Sequence, residues 1–365
     1  MSTAEAAGQA TKPKNEALLR VEDLEVAFTT EDGVVQAVDG VSFDLMPGEV
    51  LAIVGESGSG KSVTAMTLMG LTRSPNAKFA GTAYYQDKEL IGASEDELRK
   101  VRGAEIAMVF QDPMTSLNPV LKIGDQIMEQ IQEHEALPDG PARERAIELL
   151  ERVGIPRARE RIDSFPFEFS GGMRQRVMIA LALSCDPSVL IADEPTTALD
   201  VTIQAQILQR IRELREETGA AVILVTHDLG VVADIADRIA VMYAGRIIEE
   251  GTLDQIFYDP QHPYTWGLLG SITRVDRPRP ERLPAIKGLP PSLANRPEGC
   301  HFRPRCPREF AKCIEVPPLE SRVNGQPNHR DRCWLSLEDK RQRREVRPGE
   351  IGLPDKDEDE EAPAA

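Results

Sequence analysis

The chain has 365 residues, of which 41% are hydrophobic and 28% are charged, and its formal net charge is −17 at pH 7. This length allows one large domain or two moderate ones, and the apolar content excludes wholesale disorder. The negative charge argues against nucleic acid as the main partner. Five cysteines are too few for a secreted disulfide scaffold of this size, so we expect a reducing, cytoplasmic setting.

The N-terminal part of the chain begins with polar residues 1–16, which predict a disordered leader without the apolar core of a secretory signal. The following stretch, LLRVEDLEVAF (18–28), alternates like a β-strand. No apolar run in the sequence approaches the roughly 20 residues that cross a bilayer. We therefore expect any membrane role to depend on a partner.

Three short runs are continuously apolar, namely VLAIV (50–54), SVLIAD (188–193) and AVILVTHD (221–228). Strands buried on both faces have this pattern, which predicts a parallel sheet covered by helices. Residues 92–160 are rich in charge and helix formers and predict an inserted helical layer. Residues 201–219 carry isoleucines at helical spacing and predict an amphipathic helix that ends at a glycine. The fold class is therefore α/β.

The stretch GESGSGKS (55–62) lies between the first of these runs and an apolar helical segment. This strand–loop–helix context is the one that a phosphate-binding loop requires. Glycines let backbone N–H groups approach phosphate oxygens, and the helix N-terminus adds partial positive charge. Lys61 is predicted to reach the terminal phosphates and Ser62 to ligate Mg²⁺.

Three further polar elements follow the phosphate loop. Asp193 and Glu194 end a buried run, where the first can hold Mg²⁺ and the second can orient an attacking water. FSGGMRQR (169–176) offers a second helix N-terminus that suits phosphate. His227 ends the last apolar run and could hydrogen-bond a γ-phosphate. Each element alone is often structural, but the set in this order predicts a nucleotide hydrolase.

The C-terminal third has a different composition, with ten prolines between residues 277 and 318. Proline excludes long helices and central strands, so this segment is predicted to be rich in loops. It contains Cys300, Cys306, Cys313 and Cys333. Four thiolates suit zinc or a [4Fe–4S] cluster, although their spacing matches neither usual pattern, and free thiols remain an alternative. Seven Lys or Arg against four Asp or Glu in 300–333 favour an anionic cluster.

The two remaining features are expected to be structural. Cys185, beside an apolar helical run, is predicted to be a buried small side chain. KRQRR (340–344) could contact anionic lipid, but it is predicted to belong to a solvated tail, in which six acids fall between residues 355 and 361.

The motifs together resemble the ATP-binding cassette (ABC) family of ATPases over about residues 18 to 255. The resemblance implies a P-loop (RecA-like) nucleotide-binding domain with an inserted helical subdomain. It also implies that two such domains enclose ATP between them, because the phosphate loop and the signature lie on opposite edges of one subunit. We therefore expect an isolated chain to hydrolyse ATP poorly.

The resemblance also assigns roles to individual residues. It implies that ATP is bound by Phe28, Gly55, Ser57, Gly58, Ser59, Gly60, Lys61, Ser62 and Thr64. It implies Mg²⁺ ligation by Ser62, Gln111 and Asp193, catalysis by Glu194, His227 and Gln111, a signature of Ser170, Gly171 and Gly172, and a D-loop with Asp200. Phe28 would stack on adenine, but it could equally be a third inward-facing residue after Leu24 and Val26.

Three further stretches resemble the ATP-binding subunits of bacterial oligopeptide and dipeptide importers, to about residue 335. They are FQDPMTSLNP (110–119), HPYTWGLL (262–269) and the cysteine-rich segment. The resemblance implies a second ATPase subunit, expected to be a different chain, two integral membrane permeases and an extracytoplasmic peptide-binding protein, with this chain at the cytoplasmic face of the membrane. It also implies a [4Fe–4S] cluster on the four cysteines, with zinc as the alternative.

Two other functions stay open from the sequence alone. Nickel and glutathione importers share these features, and a soluble ABC ATPase outside transport is the further alternative.

The predicted units are a leader (1–16), a nucleotide-binding domain (17–259) with its helical subdomain at about 92–185, a C-terminal domain with the cysteines (260–337), and a disordered charged tail (338–365).

Overall fold

The computed structural model of the chain describes residues 17–31, 33–196, 201–271 and 286–344. Its strands are β1 (Leu19–Thr30), β2 (Gly33–Leu45), β3 (Val50–Val54), β4 (Ala77–Tyr85), β5 (Lys88–Glu89), β6 (Ile106–Val109), β7 (Val189–Asp193), β8 (Ala221–Thr226), β9 (Arg238–Tyr243), β10 (Arg246–Thr252), β11 (Glu320–Ser321) and β12 (Arg330–Asp331). Its helices are α1 (Lys61–Leu68), α2 (Glu95–Val101), α3 (Pro113–Ser116), α4 (Ile123–Glu135), α5 (Asp139–Arg152), α6 (Ala158–Arg161), α7 (Gly171–Ala182), α8 (Val201–Thr218), α9 (Leu229–Ile235), α10 (Leu253–Tyr258), α11 (Pro263–Gly270) and α12 (Leu337–Arg343).

Two sheets form the framework. The larger has the order β11-β12-β10-β9-β3-β8-β7-β6, and its segment from β9 to β6 is parallel. The three continuously apolar runs are β3, β7 and β8, and every residue of these strands is buried. The α/β prediction with a parallel central sheet is therefore confirmed. The smaller sheet, β2-β1-β4-β5, is antiparallel, and β1 explains the alternation seen at residues 18–28.

The helices from α3 to α7 form a layer inserted between β6 and β7. Ile123, Ile127 and Ile131 recur every four residues along α4 and are buried, because this spacing places them on one helix face. α5 and α7 pack against α4 and complete the layer. β6 lies within residues 92–160, before Gln111, and all four of its residues are buried in the main sheet.

The C-terminal region, residues 286–344, adds its own strands to the main sheet. In β12, Asp331 pairs with Glu249 of β10, and β11 pairs with β12 at the sheet edge. Lys340 lies on α12 and is buried, with Nζ 2.7 Å from Asp331 Oδ1. The solvated tail predicted for KRQRR is therefore wrong for Lys340. No helix in the described ranges is both long and apolar enough to cross a membrane.

The four C-terminal cysteines line one narrow pocket, but the predicted [4Fe–4S] cluster and the alternative zinc site are wrong. Across the part of the chain that the structure describes, no group of three or more His, Cys, Asp or Glu side chains is arranged to hold a metal ion. Burial raises the pKa of the Cys306 thiol to about 11 and of the Cys333 thiol to about 12, so both are protonated at neutral pH in the metal-free chain.

The thiols act instead as small apolar side chains. Cys333 packs with Trp266 and Leu335, and Cys300 and Cys306 pack against the main core. All five cysteines are free. Cys185 is half-buried, and burial raises the pKa of its thiol.

Candidate active site

The phosphate loop connects β3 to the N-terminus of α1, and its turn depends on glycine. Gly60 caps α1 with φ 102°, and a Cβ there would lie 2.3 Å from the carbonyl oxygen of Ala37. A Cβ on Gly55 would lie 2.1 Å from the carbonyl oxygen of Met242. A side chain at either position would therefore displace backbone, which explains the glycines at these two places.

Lys61 is held inside the loop. Its Nζ donates hydrogen bonds to the carbonyl oxygens of Gly55 at 2.8 Å and Glu56 at 3.0 Å, and the side chain is buried. Burial lowers the pKa of Lys61, although Glu194 and the other nearby acids raise it. The loop thus carries a buried cation, ready for an anionic ligand.

Ser62 and Asp193 bring a hydroxyl and a carboxylate together. Ser62 Oγ donates a 2.9 Å hydrogen bond to Asp193 Oδ1 at the end of β7. Burial raises the pKa of Asp193, while the hydrogen bond from Ser62 lowers it. Hard cations such as Mg²⁺ prefer oxygen ligands of these two kinds. The donor set therefore fits the magnesium that an ATP-hydrolysing site requires.

Glu194 contacts two other side chains that were predicted to act in catalysis. Gln111 Nε2 donates a 3.1 Å hydrogen bond to Glu194 Oε2, and His227 Nδ1 lies 3.3 Å from Oε1. The backbone of Glu194 has φ 45°, a left-handed conformation that is strained for a residue with a side chain. Its side chain is only 12% exposed, against 58% for His227.

These residues surround one pocket of about 610 Å³, a size typical of small-ligand sites. The pocket is lined by Gly55, Glu56, Ser57, Gly58, Gly60, Lys61, Ser62, Val63, Gln111, Glu194, His227, Leu268, Ser271 and Ile286. Asp193 reaches the same place through its hydrogen bond to Ser62. The structure thus brings together residues that the sequence separates by more than 100 positions.

Other predicted site residues lie elsewhere. Ser170 caps α7, with Oγ accepting from the Met173 N–H, and the signature residues Ser170, Gly171 and Gly172 are not among the described residues that line this pocket. Phe28 is half-buried on β1 and packs against the core beneath the smaller sheet. Asp200 lies outside the described residues.

Two further residues predicted to bind ATP, Ser59 and Thr64, are not among the described residues that line the pocket. Thr64 is buried and donates its hydroxyl to the carbonyl oxygen of Gly60 at 3.0 Å. Ser59 is also buried, and no hydrogen-bond partner for its Oγ is found within the described structure.

Residues that follow β10 in the chain contribute side chains that sequence reasoning did not place at the site. Tyr264 Oη accepts a 2.8 Å hydrogen bond from the Glu56 N–H, and Arg305 binds the Glu56 carboxylate. Leu268, Ser271 and Ile286 line the pocket. HPYTWGLL and the arginines between the cysteines mark these segments in the sequence, but neither pattern predicts a contact with the loop.

Comparison with known proteins finds relatives that bind ATP, in agreement with the phosphate loop and its pocket. Residues 38–197 match the family model for ABC transporter, and residues 248–313 match that for the oligopeptide/dipeptide transporter C-terminal region. The dipeptide transport ATP-binding protein DppD of Bacillus subtilis is 53% identical over 321 residues, which span 88% of this chain and 95% of DppD. The oligopeptide transport ATP-binding protein OppD of Salmonella typhimurium is 51% identical over 326 residues, 89% of this chain and 96% of OppD.

A solved structure matches the nucleotide-binding part. The ATP-binding cassette MJ0796, solved as a dimer in a post-hydrolysis state with ADP and Pi, is 30% identical with a TM-score of 0.59. The match covers 64% of this chain and 98% of that protein. Fold, pocket and sequence similarity agree. The chain belongs to the ABC transporter family, as an ATPase with the oligopeptide/dipeptide transporter C-terminal region.

Proposed function

We propose that this chain is the ATP-hydrolysing subunit of a membrane complex that imports short peptides. The observation that carries the proposal is the convergence of Lys61, Ser62, Gln111, Glu194 and His227 on one pocket. The similarity to dipeptide and oligopeptide transport ATP-binding proteins supports peptides as the cargo.

Within the pocket, each residue has a proposed part. The loop N–H groups and Lys61 bind the phosphates, and Ser62, Gln111 and Asp193 would hold Mg²⁺, which neutralises charge on the phosphate oxygens. Glu194 orients the attacking water and accepts its proton. His227 hydrogen-bonds the γ-phosphate, and its place in the lining of the pocket beside Lys61 and Glu194 supports this role.

The proposed complex supplies what one chain lacks. A second ATPase subunit, expected to be a different chain, would contribute a signature to this pocket, while Ser170, Gly171 and Gly172 would face the nucleotide of that subunit. Their position away from the pocket supports this arrangement. Two integral membrane permeases and an extracytoplasmic binding protein would complete the importer. The chain would then lie at the cytoplasmic face of the membrane, as a nucleotide-binding domain (17–259) and a C-terminal domain (260–337).

Uptake into proteoliposomes tests the cargo. The complex is reconstituted with its binding protein, and ATP-dependent uptake of labelled di- and pentapeptides is compared with uptake of nickel and glutathione. Peptide uptake that stops without ATP is expected. Uptake of nickel or glutathione alone would reject the peptide cargo, and ATP turnover unlinked to any uptake would favour a soluble role.

A further inference from the structure

We propose that Arg305 and Tyr264 are positioning residues for ATP binding, which fix Glu56 of the phosphate loop so that its carboxylate does not oppose the triphosphate. Both residues follow β10 in the chain, outside the phosphate loop itself. The proposal rests on the proposed function in one respect, namely that ATP binds in the pocket lined by Glu56 and Lys61.

Tyr264 anchors the backbone of the loop. The Glu56 N–H donates to Tyr264 Oη at 2.8 Å, and Tyr264 is fully buried. Its ring lies 4.6 Å from the ring of Tyr243 and 5.4 Å from that of Phe302, measured between centroids. Because aromatic packing holds the ring, the hydroxyl is a fixed acceptor, and the second residue of the loop is fixed with it.

Arg305 holds the side chain of the same residue. Its Nη1 donates to Glu56 Oε2 at 2.6 Å and its Nη2 to Oε1 at 3.0 Å, a bidentate pair in which the arginine side chain is only 5% exposed. The other N–H groups donate to the Lys287 carbonyl at 3.0 Å, the Tyr243 hydroxyl at 3.3 Å and the Ile286 carbonyl at 3.4 Å. All five donors of the guanidinium are therefore engaged.

The charge of Glu56 explains why such a partner matters. Glu56 lines the pocket, and its carbonyl oxygen accepts from Lys61 Nζ at 3.0 Å, so the residue lies beside the predicted phosphate site. A carboxylate there repels a polyanion unless a cation compensates it. Arg305 supplies this cation, and its fork fixes both carboxylate oxygens at once.

A purely structural role makes a different prediction. If Arg305 only fastens residues 286–344 to the loop, then its loss lowers stability, and neutralising Glu56 restores nothing. If Arg305 compensates Glu56, then the loss of affinity depends on the Glu56 charge and is larger for ATP than for ADP. The two roles are therefore separable by a double-mutant cycle.

The experiment measures ATP and ADP binding to the full chain by calorimetry for wild type, E56Q, R305M, R305M/E56Q and Y264F. We expect R305M to raise the Kd for ATP about tenfold, roughly 1.4 kcal/mol, and the Kd for ADP less. We expect R305M/E56Q to bind ATP within about twofold of E56Q, and Y264F to weaken ATP binding several-fold.

Circular dichroism confirms that each variant is folded. Where R305M does not fold, R305K takes its place, because lysine keeps the positive charge but lacks the forked guanidinium. We expect R305K to lose less ATP affinity than R305M, and we expect E56Q to remove that loss as well. An unchanged Kd in a folded R305M, or a loss that E56Q does not relieve, would overturn the inference. Failure of the wild-type chain to bind ATP would instead overturn the proposed function.

Discussion

Ser62 Oγ donates a 2.9 Å hydrogen bond to Asp193 Oδ1, which joins the first turn of α1 to the end of β7 across 131 positions of sequence. Ser62 follows β3 through the phosphate loop and Asp193 ends β7, so both lie at the carboxyl edge of the parallel sheet, where open α/β sheets place their ligands. β8 lies between the two strands and brings His227 to the same edge. The central sheet therefore assembles the candidate site.

Replacing Asp193 by Asn should separate stability from function. Burial raises the pKa of Asp193 above its ordinary 3.8, so the folded state penalises the carboxylate, and this penalty develops as the pH rises from 3.8 to the raised pKa and is complete above it. In the ligand-free chain, Asp193→Asn should therefore increase the Tm at pH 8 and have little effect near pH 4. In the same variant, the gain in ATP affinity that Mg²⁺ provides should be lost. A Tm that falls at pH 8 would contradict this account.

The buried pair of Lys340 and Asp331 predicts that α12 is part of the folded unit. Lys340→Met removes the buried cation of Asp331 and leaves Arg322, at 3.3 Å from the same oxygen, as its partner, so it should lower the free energy of unfolding by about 3 kcal/mol. Lys88→Met is the control, because its pair with Glu105 is exposed and should contribute under about 1 kcal/mol. Urea denaturation measures both. Equal effects of the two substitutions would contradict the burial of Lys340.

The buried thiols of Cys306 and Cys333 are expected to react slowly with alkylating reagents. With a pKa of about 11, the Cys306 thiol is ionised to only about one part in 10³ at pH 8. Alkylation by iodoacetamide at pH 8, followed by mass spectrometry, should therefore be slow at Cys306 and Cys333 in the native chain and fast in urea. Rapid native labelling, or stoichiometric iron in protein purified anaerobically, would contradict the structure.

Much of the fold was predictable because its signals are local. Continuous apolar runs identify β3, β7 and β8, and the glycines at positions 55 and 60 mark a loop that needs close backbone approach. The contact between Arg305 and Glu56 was not predictable, because 249 residues separate them and the sequence around one residue does not indicate the other. The [4Fe–4S] prediction, which the resemblance implied and the cysteine spacing did not support, was wrong, because grouping in sequence does not require thiolates to converge on a metal.

The signature serine should be needed for turnover but not for binding by the isolated chain. Ser170→Arg should leave the Kd for ATP within about twofold and reduce ATP turnover of the assembled complex at least tenfold, since the signature faces the partner's nucleotide in the proposed complex. Ser94→Arg is the matched control, because it also removes an N-cap serine, at a cost of about 1 kcal/mol, but from α2. Equal loss of turnover in both variants would reduce the role of Ser170 to helix capping.

Turnover of the assembled complex after replacing Glu194 by Gln tests the central claim most directly. Glu194 contacts Gln111 at 3.1 Å and lies 3.3 Å from His227, and the account assigns it the proton of the attacking water. The predicted result is a loss of at least about 100-fold in the rate of ATP hydrolysis, with ATP binding retained. Unchanged turnover in that variant would contradict the account.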